Sequence, residues 1–147
     1  MDHTDVSSCR ISTDKSELDV ELIHRFLAEE SYWAQNIPME LVQKSIDNSM
    51  CFGVYCEGSQ VGFARVITDF STFAYLADVF ILSSHRGHGL SKKLMKFIMS
   101  HPDLLGLRRW MLATQDAHTL YEQFGWKSIA EPERLMAITL PNLYSAK

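Results

Sequence analysis

Apolar residues follow two alternating periods along the chain. In 16–33 they fall at Leu18, Val20, Leu22, Ile23, Phe26 and Leu27, and these steps of four with neighbours beside them predict a helix. Ser16 with Asp19 three residues on resembles the start of that helix. Ile37-Pro38 breaks the pattern, and 38–48 predicts a second short helix with Pro38 in its first turn. The middle of the chain is β-rich: 50–56 and 60–68 flank the turn Glu57-Gly58-Ser59 and predict a hairpin. A continuous apolar run over 73–82 predicts a further strand. Helical spacing returns in 89–100, where Leu90, Leu94, Phe97 and Ile98 form one stripe. Residues 109–113 read as a strand and 117–124 as a short helix stopped by Gly125. Segments 127–130 and 135–140 predict two final strands, and 7–12 a first one. The result is a mixed α/β chain without repeats or linkers.

The length of 147 residues suits one domain spanning 1–147 with a sizeable core. A net charge of −4 argues against a general nucleic-acid surface. No apolar run reaches the roughly 18 residues of a membrane span, and the polar, acidic start Met1-Asp2-His3-Thr4-Asp5 does not read as a secretory signal. The odd, sparse cysteines, Cys9, Cys51 and Cys56, argue against a disulfide framework and lead to the expectation of a reducing, cytoplasmic setting. Cys51 and Cys56, five apart in a strand, should face opposite sides. His85 and His88 alone do not make a metal site, and no cluster has zinc spacing, so no metal is expected.

Chemistry concentrates at Arg86-Gly87-His88-Gly89-Leu90-Ser91, between the long apolar run and the helix carrying Lys92, Lys93 and Lys96. A glycine turn opening a helix aims backbone N–H groups at one spot, where the helix dipole adds positive charge, so a phosphate is the expected guest. The P-loop pattern is absent. The dinucleotide fingerprint fails at its third glycine, where Lys92 stands. A third pattern, Gln/Arg-x-x-Gly-x-Gly/Ala, is met by Arg86 and Gly89, with Ser91 as a small replacement in the last place.

That motif resembles the pyrophosphate-binding turn of the GNAT superfamily, the acetyl-CoA-dependent N-acetyltransferases. The resemblance extends to Asp78-Val79-Phe80-Ile81-Leu82, similar to that family's fourth strand. It also extends to Ala117-His118-Thr119-Leu120-Tyr121-Glu122-Gln123-Phe124-Gly125-Trp126, similar to its Ala-x-x-Leu-Tyr-x-x-x-Gly-Phe segment. Thr114 stands where many members have Asn. The resemblance implies a mixed, mostly antiparallel sheet of six to seven strands, splayed in the middle and flanked by about four helices. It implies acetyl-CoA in the splay, its pantetheine arm held by backbone groups of Phe80, Ile81 and Leu82 like an added strand. The pyrophosphate would rest on the N–H groups of Gly87, His88, Gly89, Leu90 and Ser91, with charge from Arg86 and Lys92.

The same resemblance gives Tyr121 the role of protonating the departing CoA sulfur; read alone, Tyr121 is an aromatic packing residue on a short helix. Asp78, the one charge in the apolar run, is a candidate base for the attacking amine, or simply a buried acceptor of hydrogen bonds. By strand alternation it should share a face with Leu76 and Phe80. Tyr32 and Trp33, before the polar Gln35 and Asn36, are candidates to wall an amine pocket together with Tyr75, or to pack their loop onto the core. The expected partners are acetyl-CoA and an amine acceptor, without nucleic acid or membrane. A homodimer is the commonest assembly. The alternative is a non-catalytic acyl-CoA-binding or regulatory module on the same fold.

Overall fold

The structure, a computed structural model, describes residues 6–145. Five strands form one sheet in chain order: β1 (Arg10–Ser12), β2 (Met50–Cys56), β3 (Ser59–Thr68), β4 (Phe73–Ile81) and β5 (Arg109–Met111). Neighbours are antiparallel except β4 and β5, which run parallel. The helices are α1 (Val20–Arg25), α2 (Met39–Asp47), α3 (Leu90–Met99) and α4 (His118–Glu122). Ile23, Phe26, Val42 and Ile46 from the α1–α2 region pack on Cys51, Phe63 and Phe80 of one sheet face. Leu90, Leu94, Met95 and Ile98 of α3 pack on Phe52, Val54, Val66 and Leu76 of the other. Cys51 and Cys56 accordingly belong to opposite cores.

The β2–β3 hairpin turns through Glu57 (φ 52°) and Gly58 (φ 83°), the left-handed pair that matches strand twist in a two-residue loop. α1 starts later than the spacing predicts. Its cap is Asp19, whose carboxylate accepts from the Leu22 amide at 3.1 Å, while Ser16 lies in a preceding 3-10 turn. A π-helical turn, Phe26–Glu30, follows α1, with the Ser31 amide donating to the Phe26 carbonyl at 2.9 Å. The Ser31 hydroxyl donates to Leu27 O and accepts from the Ala34 amide, which fixes the chain carrying Tyr32 and Trp33.

Three expectations are corrected. First, strand alternation does not hold through Asp78. The pairs Phe63↔Phe80 and Arg65↔Ala77 leave Ala64 opposite both Asp78 and Val79, a β-bulge. Asp78 takes a left-handed φ of 55° there, which Asp tolerates better than most residues. The extra residue reverses the faces beyond it, so Leu76 and Phe80 lie in opposite cores.

Second, Cys9 and Cys56 form a disulfide. The β1–β2 register, Arg10↔Tyr55, brings the residue before β1 beside Cys56, with Cα atoms 4.3 Å apart. The two stand 47 positions apart in sequence, and cysteine count carries no register. The inference from that count to a reducing compartment therefore lapses. Cys51 stays a buried free thiol, its pKa pushed up to about 11, chiefly by desolvation.

Third, the sheet has five strands among the described residues, slightly fewer than the six to seven expected. Segments 127–130 and 135–140 have no sheet partner among the described residues. Alternation makes a segment strand-like, but a strand also needs a neighbour for its backbone groups.

Candidate active site

β4 and β5 pair at only three positions, Phe73↔Arg109, Ala74↔Trp110 and Tyr75↔Met111. Beyond Tyr75 no β5 partner follows β4, and its bulge enters the gap. Two cavities lie along this gap. One of about 310 Å³ is lined by Ile81, Arg86, Gly87, Gly89, Leu90, Ser91 and Lys92, with Thr119, Leu120 and Gln123 of α4 opposite. The other, of about 460 Å³, is lined by Tyr32, Trp33, Arg65, Tyr75, Asp78, Val79, Thr114, Asp116 and Tyr121. α4 borders both.

At the first cavity Gly87 and Gly89 each have φ 83°, a region open to glycine and costly for other residues. Gly89 caps α3, and the Lys93 amide is bonded to the Gly89 carbonyl at 3.1 Å. The amides of Leu90, Ser91 and Lys92 are those a helix leaves without an intrahelical acceptor, and they gather at its positive end. The Arg86 Nε donates to the Ile81 carbonyl at 2.8 Å, tying the turn to the end of β4. Lys93 points elsewhere; its ammonium donates to the carbonyls of Val6 and Cys9. His88 is exposed and does not line the cavity, whereas His85 does.

The backbone of β4 presents its groups selectively. The Leu82 amide donates to Val61 O at 2.8 Å, toward β3. Strand geometry turns Phe80, opposite Phe63, the same way, and turns Ile81 to the gap. The Phe80 ring is buried as well, stacked on Phe26 at 3.9 Å. Of the three residues expected to hold an added strand, Ile81 faces the gap, its carbonyl accepting from Arg86, while the backbone groups of Phe80 and Leu82 turn to β3. Val79, the second residue of the bulge, lines the other cavity.

In the second cavity Tyr121 is buried, and desolvation pushes its phenol up to about 12, with Tyr32 and Asp116 adding in the same direction. The helix that carries it starts where the Thr114 hydroxyl accepts from the Ala117 amide at 3.0 Å. It ends in a Schellman motif: Trp126 N bonds to Tyr121 O and Gly125 N to Glu122 O, with Gly125 at φ 92°. Gly125 is thus the stop that the sequence predicts.

Tyr32 and Trp33 reach the sheet from the α1–α2 connection and contact each other edge-on at 5.0 Å. The Tyr32 hydroxyl accepts from the Gln115 amide at 3.0 Å, and Trp33 Nε1 donates to Asp78 Oδ1 at 2.7 Å. Asp78 Oδ2 accepts from Arg65 Nε at 2.8 Å, and Arg65 also donates to the Ser49 hydroxyl. Both Asp78 oxygens therefore hold charge-assisted or indole hydrogen bonds, an arrangement that positions side chains rather than leaving a free base. Arg65 was missed by sequence reading, although the same signal marks it: it is the one charge within Ser59–Thr68. Asp116, Thr119 and Gln123 carry no such signal, since polar residues beside a short helix are ordinary.

A sheet parted beside its bulged strand thus joins an amide-rich turn at one end of the opening to an aromatic pocket at the other. The acetyltransferase (GNAT) family model matches residues 20–126, and the chain belongs to this family. It is 31% identical to "Putative acetyltransferase FG08082" of Gibberella zeae, over 88% of this chain and 85% of that protein. It is also similar to the crystal structure of a "putative acetyltransferase belonging to the gnat family" from Xanthomonas campestris pv. campestris. That match has 54% identity and a TM-score of 0.92, covering 94% of this chain and 97% of the other. A GNAT family acetyltransferase from Elizabethkingia anophelis with acetyl-CoA bound shares the fold at 13% identity and a TM-score of 0.58, over 80% of this chain and 74% of that one.

Proposed function

We propose that this chain is an N-acetyltransferase, moving the acetyl group of acetyl-CoA to a primary amine of a small molecule or peptide by direct attack in a ternary complex. One observation carries the reading: the β4–β5 opening joins an amide-lined anion site to an aromatic pocket, and α4 lines both with Tyr121 on the pocket side. The pyrophosphate rests on the 87–92 turn, and the arm runs along Val79 and Ile81. The bound acetyl-CoA of the Elizabethkingia protein supports this choice of donor.

The amine nitrogen attacks the thioester carbonyl carbon, the C–S bond breaks, and its electron pair goes to sulfur. Tyr121 donates a hydrogen bond to that sulfur. A phenol near 12 facing a thiol near 8.5 makes complete proton transfer uphill by roughly 5 kcal/mol if the sulfur keeps its ordinary value. Hydrogen bonding to the developing charge is therefore the first service, and the proton follows as the same dry surroundings raise the sulfur's own pKa. The amine's proton leaves through the pocket mouth to water, and Asp78 holds Trp33 and Arg65 in place.

Arg65 and Asp78 neutralise each other, which leaves Asp116 as the unbalanced charge beside four aromatic residues. This composition favours a cationic acceptor. The test is thiol release from acetyl-CoA with a panel of polyamines, amino sugars and peptides, beside calorimetric CoA binding. Turnover on cationic amines is expected. Tight CoA binding with no turnover on any amine would instead make the chain an acyl-CoA-binding module.

A further inference from the structure

The acceptor pocket holds two carboxylates, and they stand in different states. Asp78 is occupied: Oδ1 accepts from Trp33 Nε1 at 2.7 Å and Oδ2 from Arg65 Nε at 2.8 Å. Asp116 lines the same cavity, and among the described residues it takes part in no ion pair. It is exposed, yet close enough to Tyr121 for its charge to help raise that phenol. The backbone that carries it is fixed on either side. The Gln115 amide donates to the Tyr32 hydroxyl at 3.0 Å, and the Ala117 amide donates to the Thr114 hydroxyl at 3.0 Å.

The pocket grades from dry to wet. Tyr121, 8% exposed, lies at its floor, while Tyr32 and Trp33, at 46% and 42%, stand at its mouth. The reacting nitrogen belongs at the floor, beside the phenol, and must be neutral to attack. A carboxylate paired with that nitrogen would favour its charged form and hold it as an unreactive ammonium. Asp116 is thus ill suited to the reacting nitrogen and well suited to a second cation at the mouth. The Tyr32 and Trp33 rings, edge-on to each other at 5.0 Å, give such a cation aromatic surface as well. Like charges on one molecule disfavour each other, so a second cation also eases loss of the proton from the reacting nitrogen.

We propose that the acceptor is a diamine: one nitrogen takes the acetyl group beside Tyr121, and the other stays charged between Asp116 and the Tyr32–Trp33 pair. Asp116 is then the residue that selects the acceptor, an assignment that rests on the acetyl-transfer reading of the pocket. The neutral nitrogen forms the new C–N bond, the C–S bond breaks, and the proton lost from nitrogen balances the one gained by sulfur. The products are a mono-acetylated diamine, still carrying its second cation, and the free CoA thiol.

The full chain is tested with matched pairs that differ only in the second ammonium: diaminobutane against butylamine, and diaminopentane against pentylamine. Each pair is read twice, by thiol release from acetyl-CoA and by calorimetric binding to the CoA-loaded protein. An exposed ion pair contributes a factor of a few, and aromatic faces on the same cation raise the expected preference for the diamine to about tenfold in affinity and in KM. Asp116→Asn is expected to cut that preference to about twofold, and Asp116→Glu to keep most of it. Added salt should shrink the wild-type preference, since the pair is exposed to screening. A substitution that merely loosened α4 would move both members of a pair together and leave their ratio unchanged. Equal handling of a diamine and its monoamine, a preference that survives Asp116→Asn, or a pocket that binds neither member overturns the proposal. Its failure is distinct from failure of the transfer reading. Turnover of both amines without preference removes the diamine and keeps the transfer, whereas Asp116-dependent diamine binding without thiol release keeps the diamine site and removes the transfer.

Discussion

The glycine turn and the acceptor pocket are both needed for the proposed transfer, but they are built on opposite plans. The turn is local: six consecutive residues, two of them at φ 83°, present backbone amides at the head of one helix. Its chemistry depends little on side-chain identity, since amides belong to every residue but proline. The pocket is distributed: Tyr32 and Trp33 come from the α1–α2 connection, Arg65 from β3, Asp78 from β4 and Tyr121 from α4. The contrast teaches where each substitution should register. Changes at the turn should act through cofactor affinity, while changes at the pocket should act through the chemical step or the acceptor.

The largest effect is expected at Tyr121. Tyr121→Phe keeps the ring and removes the hydroxyl, and kcat should fall by about a hundredfold or more, the usual range for a positioned proton donor. CoA affinity measured by calorimetry should stay unchanged. Because its phenol stands near 12, Tyr121 itself should add no alkaline limb to the rate profile below about pH 10. A Tyr121→Phe enzyme with normal kcat breaks the contrast and returns Tyr121 to a packing role.

The next effect is the mirror image. Gly89→Ala forces a side chain into φ 83°, where the left-handed region costs roughly 1–2 kcal/mol. An added Cβ meets no atom within 4 Å, so the cost is conformational and falls on the turn itself. The CoA dissociation constant should rise by about tenfold with kcat nearly constant at saturating donor. Trp33→Phe comes third. It removes the indole donor to Asp78 Oδ1, a charge-assisted bond of about 1.5–3 kcal/mol where buried and less at this half-exposed position. The acceptor KM should rise several-fold with CoA affinity unmoved; a rise in the CoA dissociation constant instead would show that the two regions are coupled.

The same contrast explains what was legible in the sequence. The turn could be read because it is contiguous, and glycine spacing reports backbone conformation directly. α3, the hairpin and the Gly125 stop could be read for the same reason. The pocket could be read only as a set of odd residues, such as Asp78 in an apolar run and two aromatics before a polar loop. What joined them was the bulge at Asp78 and the π-helical turn before Ser31, and neither leaves a period in the sequence. The Cys9–Cys56 bond was hidden because it depends on β1–β2 register. The strand pattern of 135–140 was legible, but its missing partner was not, since alternation says nothing about which edge a strand will find.

The smallest effect sharpens the contrast by touching neither region. Asp69, fully exposed in the β3–β4 connection, accepts from the amides of Ser71, Thr72 and Phe73 and from the Thr72 hydroxyl. These donors, the Thr72 hydroxyl first, hold its carboxyl well below the usual carboxylate range. A carboxyl whose pKa is lower folded than unfolded stabilises the fold fully above its unfolded value, near 4, and loses that contribution as pH falls toward its folded value. Asp69→Asn should therefore lower the urea midpoint by a modest, constant amount from neutral pH down to about 5, with the gap from wild type narrowing below about pH 4. A gap of equal size at pH 7 and pH 3 would show that the turn depends on shape and not on charge. Since Asp69 shares no partner with the glycine turn or the aromatic pocket, the CoA dissociation constant and the acceptor KM should each hold within about twofold. A shift in the acceptor KM alone would mean that the connection sets β3–β4 register strongly enough to move the bulge, and with it the carboxylate that Trp33 and Arg65 share.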